Sequence, residues 1–146
     1  MKIINEIFTN KCVVVPLVLW IIIQTFKVIT DLVMNRRLNV KRIIGAGGMP
    51  SSHSAVVCSL ATCVGKEYGF NSGIFAIALI MAFVVMYDAA GIRRAAGKQA
   101  RILNHILDTP GLTQVEVQDR LIEALGHTPI QVFVGAIIGI IAGFVV

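Results

Sequence analysis

Cys12-Val-Val-Val-Pro-Leu-Val-Leu-Trp20-Ile-Ile-Ile-Gln24-Thr-Phe-Lys27-Val-Ile-Thr-Asp31-Leu-Val-Met34 is an almost unbroken apolar run of about 23 residues, and a helix needs roughly 20 to cross a bilayer. The rest of the chain points the same way. Of its 146 residues, 56% are hydrophobic and 14% charged, and the mean hydropathy is +0.81. Soluble domains carry about 25% charge, so this composition excludes a soluble domain and also a disordered chain. The apolar residues come in continuous blocks rather than alternating, which excludes a membrane barrel. The reading is an all-α, polytopic membrane bundle, one membrane-embedded domain over residues 1–146. The first block lacks a small-x-small cleavage site and is read as a retained helix.

Working outward, Pro50-Ser51-Ser52 is a helix start, and a short apolar helix is expected from about Ser52 to Tyr68. Gly69 and Asn71 make a turn. A third apolar helix follows from about Ser72 to Ala90. Thr128 and Pro129 cap a last one that reaches Val146. About four spanning helices result, with a polar helical insertion before the last. In that insertion, Gly91 to Leu107 is a basic helical continuation and Asp108-Thr-Pro-Gly is a turn. Thr113 and Glu116 form a capping box, with Leu112 and Val117 as its staple, for a helix that stops at Leu125–Gly126. Gly135, Gly139 and Gly143 recur every four residues on the last helix, a spacing for close helix packing that also permits a homodimer.

The net charge is +5. The bases lie beside apolar segments, which makes them topology signals or an anion site rather than a nucleic-acid surface. Cys12, Cys58 and Cys63 lie in or beside apolar stretches without Cys-x-x-Cys spacing and are read as small buried hydrophobes. Gln24, Lys27 and Asp31 share one helix face that should point into the protein. They serve a site there, or Lys27 and Asp31 simply neutralise each other.

With four helices, loops 35–52 and 91–127 fall on one side, and all three histidines fall with them. His53 sits just inside one helix start and His127 just before another. Helix N-termini carry unpaired N–H groups and about half a positive charge. With Lys27, Arg93 and Arg94 they make a site for a polyanion, most simply phosphate. Two histidines beside phosphate suggest that one attacks phosphorus and the other protonates the leaving oxygen. His105 has no such surroundings and is read as structural.

Pro50-Ser51-Ser52-His53-Ser54-Ala55 resembles the Pro-Ser-Gly-His motif of the type 2 phosphatidic acid phosphatases, the superfamily that includes vanadium haloperoxidases. His127-Thr-Pro-x-Gln-Val-x-x-Gly135 resembles their His-x-Pro-x-Asp-Val-x-x-Gly motif. Over residues 20 to 143 the chain is most similar to the small divergent branch of that superfamily, through Gln24-x-x-Lys27, Gly47-Gly-Met-Pro-Ser-Ser-His-Ser-Ala55, Met86-Tyr-Asp-Ala-Ala-Gly-Ile-Arg-Arg94, Gly97-Lys-Gln-Ala100 and Gly126-His-Thr-Pro129. The resemblance implies that His127 is the nucleophile and His53 the acid. It implies that Ser51 and Ser52 form the phosphate-holding turn, that Lys27 is the first-motif lysine, and that Arg93 or Arg94 is the phosphate-binding arginine. In the family an arginine precedes the nucleophile by six residues; position 121 here is Leu, so residues 95–126 are read as an insertion into that motif. The family's orienting aspartate is Gln131 here, which leaves Asp88 to orient His127 or to pair with Arg93. The first-motif Arg-Pro is absent.

The implied activity is metal-independent hydrolysis of a lipid phosphate monoester or diphosphate at the membrane surface, with no cofactor. The rival reading is a non-enzymatic lipid or anion carrier, or an assembly subunit, that keeps a phosphate cradle. Asp31 and Asp88 keep a metal-dependent variant open. Eight bases flank the site side (Arg36, Arg37, Lys41, Arg42, Arg93, Arg94, Lys98 and Arg101) against Lys2, Lys11 and Lys66 opposite. The positive-inside rule therefore places the site loops in the cytoplasm of a cell-membrane protein.

Overall fold

The structure, a computed structural model, describes residues 1–36, 48–108, 121 and 126–146. The described residues form six helices: α1 (Lys2–Thr9), α2 (Lys11–Asn35), α3 (Ser52–Tyr68), α4 (Gly73–Ala90), α5 (Ile92–Asp108) and α6 (Pro129–Val145). The expected helices from Cys12, Ser52, Ser72, Gly91 and Pro129 are all present, within one or two residues at each end. The capping box at Thr113 and Glu116, its staple and the helix ending at Leu125 lie outside the described residues.

Each start has a local cause. The Asn10 side chain accepts from the Cys12 amide at 2.9 Å and starts α2. Ser72 accepts from the Phe75 amide at 3.2 Å and starts α4. Thr128 and Gln131 form a reciprocal capping box at α6, with Pro129 in the first turn; Pro suits that position because its missing N–H would have no helical partner there. Gly69 ends α3 at φ +90°, a conformation that costs glycine nothing. The short helix α1 was not expected from the sequence. Its Ile3, Ile4, Ile7 and Phe8 are exposed and share one face by their spacing.

The bundle is organised around α3, which packs on α2, α4 and α6. The composition of α3 explains its central place. Its buried positions are mostly Ser, Ala, Cys, Thr and Gly, and small residues let helix backbones approach closely where no hydrophobic force drives association. Its hydroxyls satisfy themselves on the preceding turn: Ser59 Oγ donates to the Val56 carbonyl at 2.9 Å, and Thr62 Oγ1 to Cys58 at 2.8 Å. On α6, Gly135, Gly139 and Gly143 are the buried residues. A methyl at Gly135 would run into the Ser51 carbonyl, one at Gly139 into the Ala55 carbonyl, and one at Gly143 would come within 2.6 Å of Thr62 Cβ. The glycine stripe is therefore used inside the chain, so a dimer would need another surface.

Large apolar side chains point outward instead. Trp20, Ile21, Phe26, Ile77, Phe83 and Phe144 are all exposed. Exposed apolar area on this scale needs a partner phase. Two stretches, Lys11–Met34 and Gly73–Asp108, are long and apolar enough to cross a membrane, while Pro129–Val145 is apolar but shorter. Four complete spans are more than these two stretches establish.

The chain direction brings four helix ends together: the C-terminal turns of α2 and α4, and the N-termini of α3 and α6. At the opposite end, Lys11 Nζ donates to the Val146 carbonyl at 3.0 Å and Lys66 Nζ to the Phe144 carbonyl at 2.9 Å. These cations suit the negative end of α6.

Candidate active site

Two backbone bonds clamp the shared end. The His127 amide donates to the Ala89 carbonyl at 2.9 Å, and the Ser51 amide donates to the Gln131 carbonyl at 3.1 Å. The first ties the entry of α6 to the end of α4, and the second ties α6 to the start of α3. Gly126 makes the first possible. It sits at φ +91°, and a side chain there would collide with the Arg94 backbone.

The clamp sets the two histidines face to edge, with ring centroids 5.8 Å apart and planes at 62°. His127 is 2% exposed. Its Nδ1 lies 3.3 Å from Gln131 Oε1. That oxygen also accepts from the Thr128 amide at 3.0 Å, which fixes the orientation of the carboxamide. An acceptor facing Nδ1 requires Nδ1 to carry the proton. The lone pair is then on Nε2, which is buried without a hydrogen-bond partner. His53 likewise has a buried Nδ1 without a partner. Unsatisfied polar atoms in a buried place are costly, and two of them on neighbouring histidine rings mark a place built for something else.

Lys27 reaches the same place from α2. It is 4% exposed, and its Nζ donates to Ser52 Oγ at 3.4 Å. Of the three residues expected to face inward, Gln24 and Lys27 are buried and Asp31 is only partly so. Lys27, Arg93 and Asp88 all lie close enough for their charges to act on the His53 ring. His127 lies outside the membrane-spanning segments, and burial pushes its ring below the usual histidine range. The hydrogen bond to Gln131 opposes it, the Lys27 and His53 charges reinforce it, and the nearby Gly48 carbonyl, which makes no hydrogen bond to Nε2, opposes it most weakly.

Several expected residues hold different posts. Asp88 accepts from Arg93 Nε as an ion pair on the exposed side of the site, and the His127 ring contact expected of Asp88 is made by Gln131. The reason is sequence distance along a helix. Gln131 is four residues after His127 and one turn above it, whereas Asp88 faces Arg93 across the break at Gly91. Ser51 is fully buried as the cap of α3. Its hydroxyl receives the Ser54 amide at 3.3 Å and the Ser54 hydroxyl at 3.0 Å. Its own amide is bound to the Gln131 carbonyl, so the hydroxyl proton is the donor that Ser51 retains. Arg94 contributes its backbone to the Gly126 contact. His105 is exposed on α5. Gln131 was legible in the sequence only as a departure at the orienting position; its i+4 spacing from His127 and its place in the capping box were the available signal. Among the described residues, no group of three His, Cys, Asp or Glu side chains is placed to hold a metal ion.

A buried His127 and a half-buried His53 at two helix starts, beside the buried Lys27, sit at one end of a helical bundle with the outward apolar surface of a membrane protein. The chain belongs to the Divergent PAP2 family, whose model matches residues 8–142. It is 39% identical over 147 aligned positions, 93% of each chain, to a Bacillus subtilis (strain 168) protein named "Uncharacterized membrane protein YuiD". No solved structure matches it.

Gln131→Leu removes the acceptor facing Nδ1 and, with it, the partner of the Thr128 amide at the start of α6. On the phosphatase reading proposed below, phosphate release by this variant is expected to fall on the order of a hundredfold through kcat, since misplacing a reacting group by about 1 Å costs that much. Retention of near-full kcat would show that something else holds the ring.

Proposed function

We propose that the protein is a multi-pass membrane phosphatase that hydrolyses a lipid phosphate through His127, with α2, α3, α4 and α6 crossing the bilayer. The observation that carries this reading is the pair of unpartnered ring nitrogens, His127 Nε2 and His53 Nδ1, in two rings 5.8 Å apart beside Lys27.

In the proposed reaction the phosphate enters between the rings. Lys27 and Arg93 balance the charge of its oxygens, and the Ser52 hydroxyl donates to one of them. The neutral His127 Nε2 attacks phosphorus, an N–P bond forms and the P–O bond to the lipid breaks. Protonated His53 passes its proton to the departing oxygen. Water then attacks phosphorus and gives its proton to His53, the N–P bond breaks, and phosphate leaves. Gln131 plays a positioning part: it accepts from Nδ1–H throughout and helps stabilise the ring while it carries phosphorus.

The purified protein should release inorganic phosphate from at least one member of a panel of lipid phosphates, and vanadate should inhibit it. Vanadate binding without phosphate release from any member would instead support a phosphate-binding carrier or subunit.

The pH dependence follows from His127. Because its folded pKa lies below the usual 6.5, the nucleophile stays neutral at pH 7. The acid limb of kcat/KM attributable to it is expected below pH 6.5. The same shift affects stability. Below 6.5 the unfolded chain takes up a proton that the folded chain still refuses, so folding weakens as pH falls through the folded pKa. An acid limb of kcat/KM lying above 6.5 in the parent protein would contradict the burial of this ring.

The site loops are assigned to the cytoplasm on the charge bias. In a background without Cys12, Cys58 and Cys63, Lys98→Cys on exposed α5 should resist a membrane-impermeant maleimide in intact cells and react after lysis. Labelling of intact cells would reverse the orientation.

A further inference from the structure

Helix α5 has three unlike faces. Gly97, Ala100 and Asn104 fall on one of them by helical spacing, and they are its buried residues. Asn104 ties this face to the Leu121 backbone through two hydrogen bonds, at 2.9 and 3.1 Å. Ile102, Leu103 and Ile106 fall on a second face, and all three are exposed. Arg94, Lys98 and Arg101, spaced i, i+4 and i+7, fall on a third. Lys98 and Arg101 are exposed and Arg94 is half-buried. The apolar and basic faces lie about 120° apart around the helix. Among the described helices, α5 packs only on α4.

We infer that α5 lies flat in the membrane interface and docks on a leaflet of anionic lipid, with its apolar face at the hydrocarbon boundary and Arg94, Lys98 and Arg101 among the lipid phosphates. The inference rests on α4 crossing the bilayer and not on hydrolysis. Helix α4 has 18 residues, about 27 Å at 1.5 Å per residue, close to the roughly 30 Å of the hydrocarbon core. Its last turn therefore reaches headgroup level. Tyr87 is exposed there, and tyrosine gathers at that depth. Gly91, at φ −102° and ψ −86°, interrupts the helix, so α5 begins at the membrane surface and is free of the direction of α4. Standing upright, α5 would hold Ile102, Leu103 and Ile106 in water; lying flat buries them. A basic face beside an apolar one is the pattern of helices that lie in this plane. Charge decides the occupant. Helix α5 carries four bases, Arg93, Arg94, Lys98 and Arg101, against one acid, Asp108 at its end, and bases held at a negative leaflet are attracted to it. The same helix start borders the candidate site. Arg93 pairs with Asp88, and the Arg94 backbone lies against Gly126, next to His127. A docked α5 holds these groups at headgroup depth.

The test uses full-length protein lacking Cys12, Cys58 and Cys63 and carrying one spin label. It is placed in nanodiscs of phosphatidylcholine alone, or of equal parts phosphatidylcholine and phosphatidylglycerol. Collisions with oxygen, which concentrates in hydrocarbon, and with a neutral nickel chelate, which stays in water, report depth. In the anionic discs, labels at Leu103→Cys and Ile106→Cys should meet mainly oxygen, and a label at His105→Cys mainly the chelate. In phosphatidylcholine alone the Leu103→Cys label should shift toward the chelate. Each base is worth roughly fivefold at an anionic surface. Lys98→Gln should therefore lower the ratio of docked to undocked label about fivefold, and Lys98→Arg should keep it. Equal depth in both kinds of disc, or no effect of Lys98→Gln, would overturn the assignment to anionic lipid. A Leu103→Cys label that meets the chelate in both discs leaves α5 in water, and one that meets neither reagent is covered by protein; either result overturns the docking. A label at Ile80→Cys, midway along α4, tests the span separately. Oxygen contact there with α5 in water keeps the span and removes the docking, whereas chelate contact there removes both.

Discussion

His127→Ala is expected to lower phosphate release by about a thousandfold or more, the scale on which removal of a nucleophile acts. The substitution removes the only atom proposed to bond to phosphorus. It leaves the backbone clamp intact, because the contact to Ala89 uses the main-chain amide of residue 127. The carboxamide of Gln131 keeps its other partner, the Thr128 amide. The variant should therefore fold, with an unfolding transition in detergent near that of the parent chain. It should also fail to form the acid-labile phosphoenzyme trapped by rapid quenching of the parent. A variant that keeps its activity would exclude His127 as nucleophile. His53→Ala makes a useful companion, because its loss should be severe for an alkyl phosphate and mild for an ester whose leaving group needs no proton.

The second large effect is structural. Gly139→Leu places a branched side chain where even one carbon would meet the Ala55 carbonyl. Both partners are helix backbone, so neither can rotate aside. Helix α6 must move away from α3, and overpacking of this kind costs about 2–3 kcal/mol or more. For a chain of this size the unfolding midpoint should drop by roughly 10 °C. Activity should fall further than stability alone explains, since moving α6 also moves His127 away from His53. Ile140→Leu, at the exposed neighbouring position, is the control and should be silent. A Gly139→Leu protein with an unchanged midpoint would mean that α6 does not pack on α3 through its glycines.

Much of this molecule is local. The run from Cys12 to Met34 is a helix because its residues are apolar and its start carries Asn10, and both facts lie within a few neighbours. The caps at Ser51, Ser72 and Thr128 are equally short-range, and the structure places those helix starts within one residue of expectation. The glycine spacing of α6 identified a packing face. The order of motifs along the chain was enough to place it in its family. The inward direction of Lys27 also followed from the sequence, since a cation in a spanning helix has few places to go.

The remainder required the assembled bundle. Whether Gly135 and Gly139 meet another chain or this one depends on α3 offering Ser51 and Ala55 at matching heights, and no local rule reports that match. On paper Gln131 read as a departure from the orienting aspartate, which left Asp88 to face the His127 ring or to pair with Arg93. Only the folded chain shows the amide of Thr128 turning the Gln131 oxygen toward Nδ1, and Arg93 drawing Asp88 away across the Gly91 break. Helices α2 and α6 touch each other little, and that separation is likewise absent from either helix alone. It arises because both are held against the small residues of α3, and the space left between them is a property of three helices at once. Local order follows from each residue's own torsions and nearest neighbours, whereas the site and that space are made by contacts between segments far apart in the chain, whose distances only close packing sets.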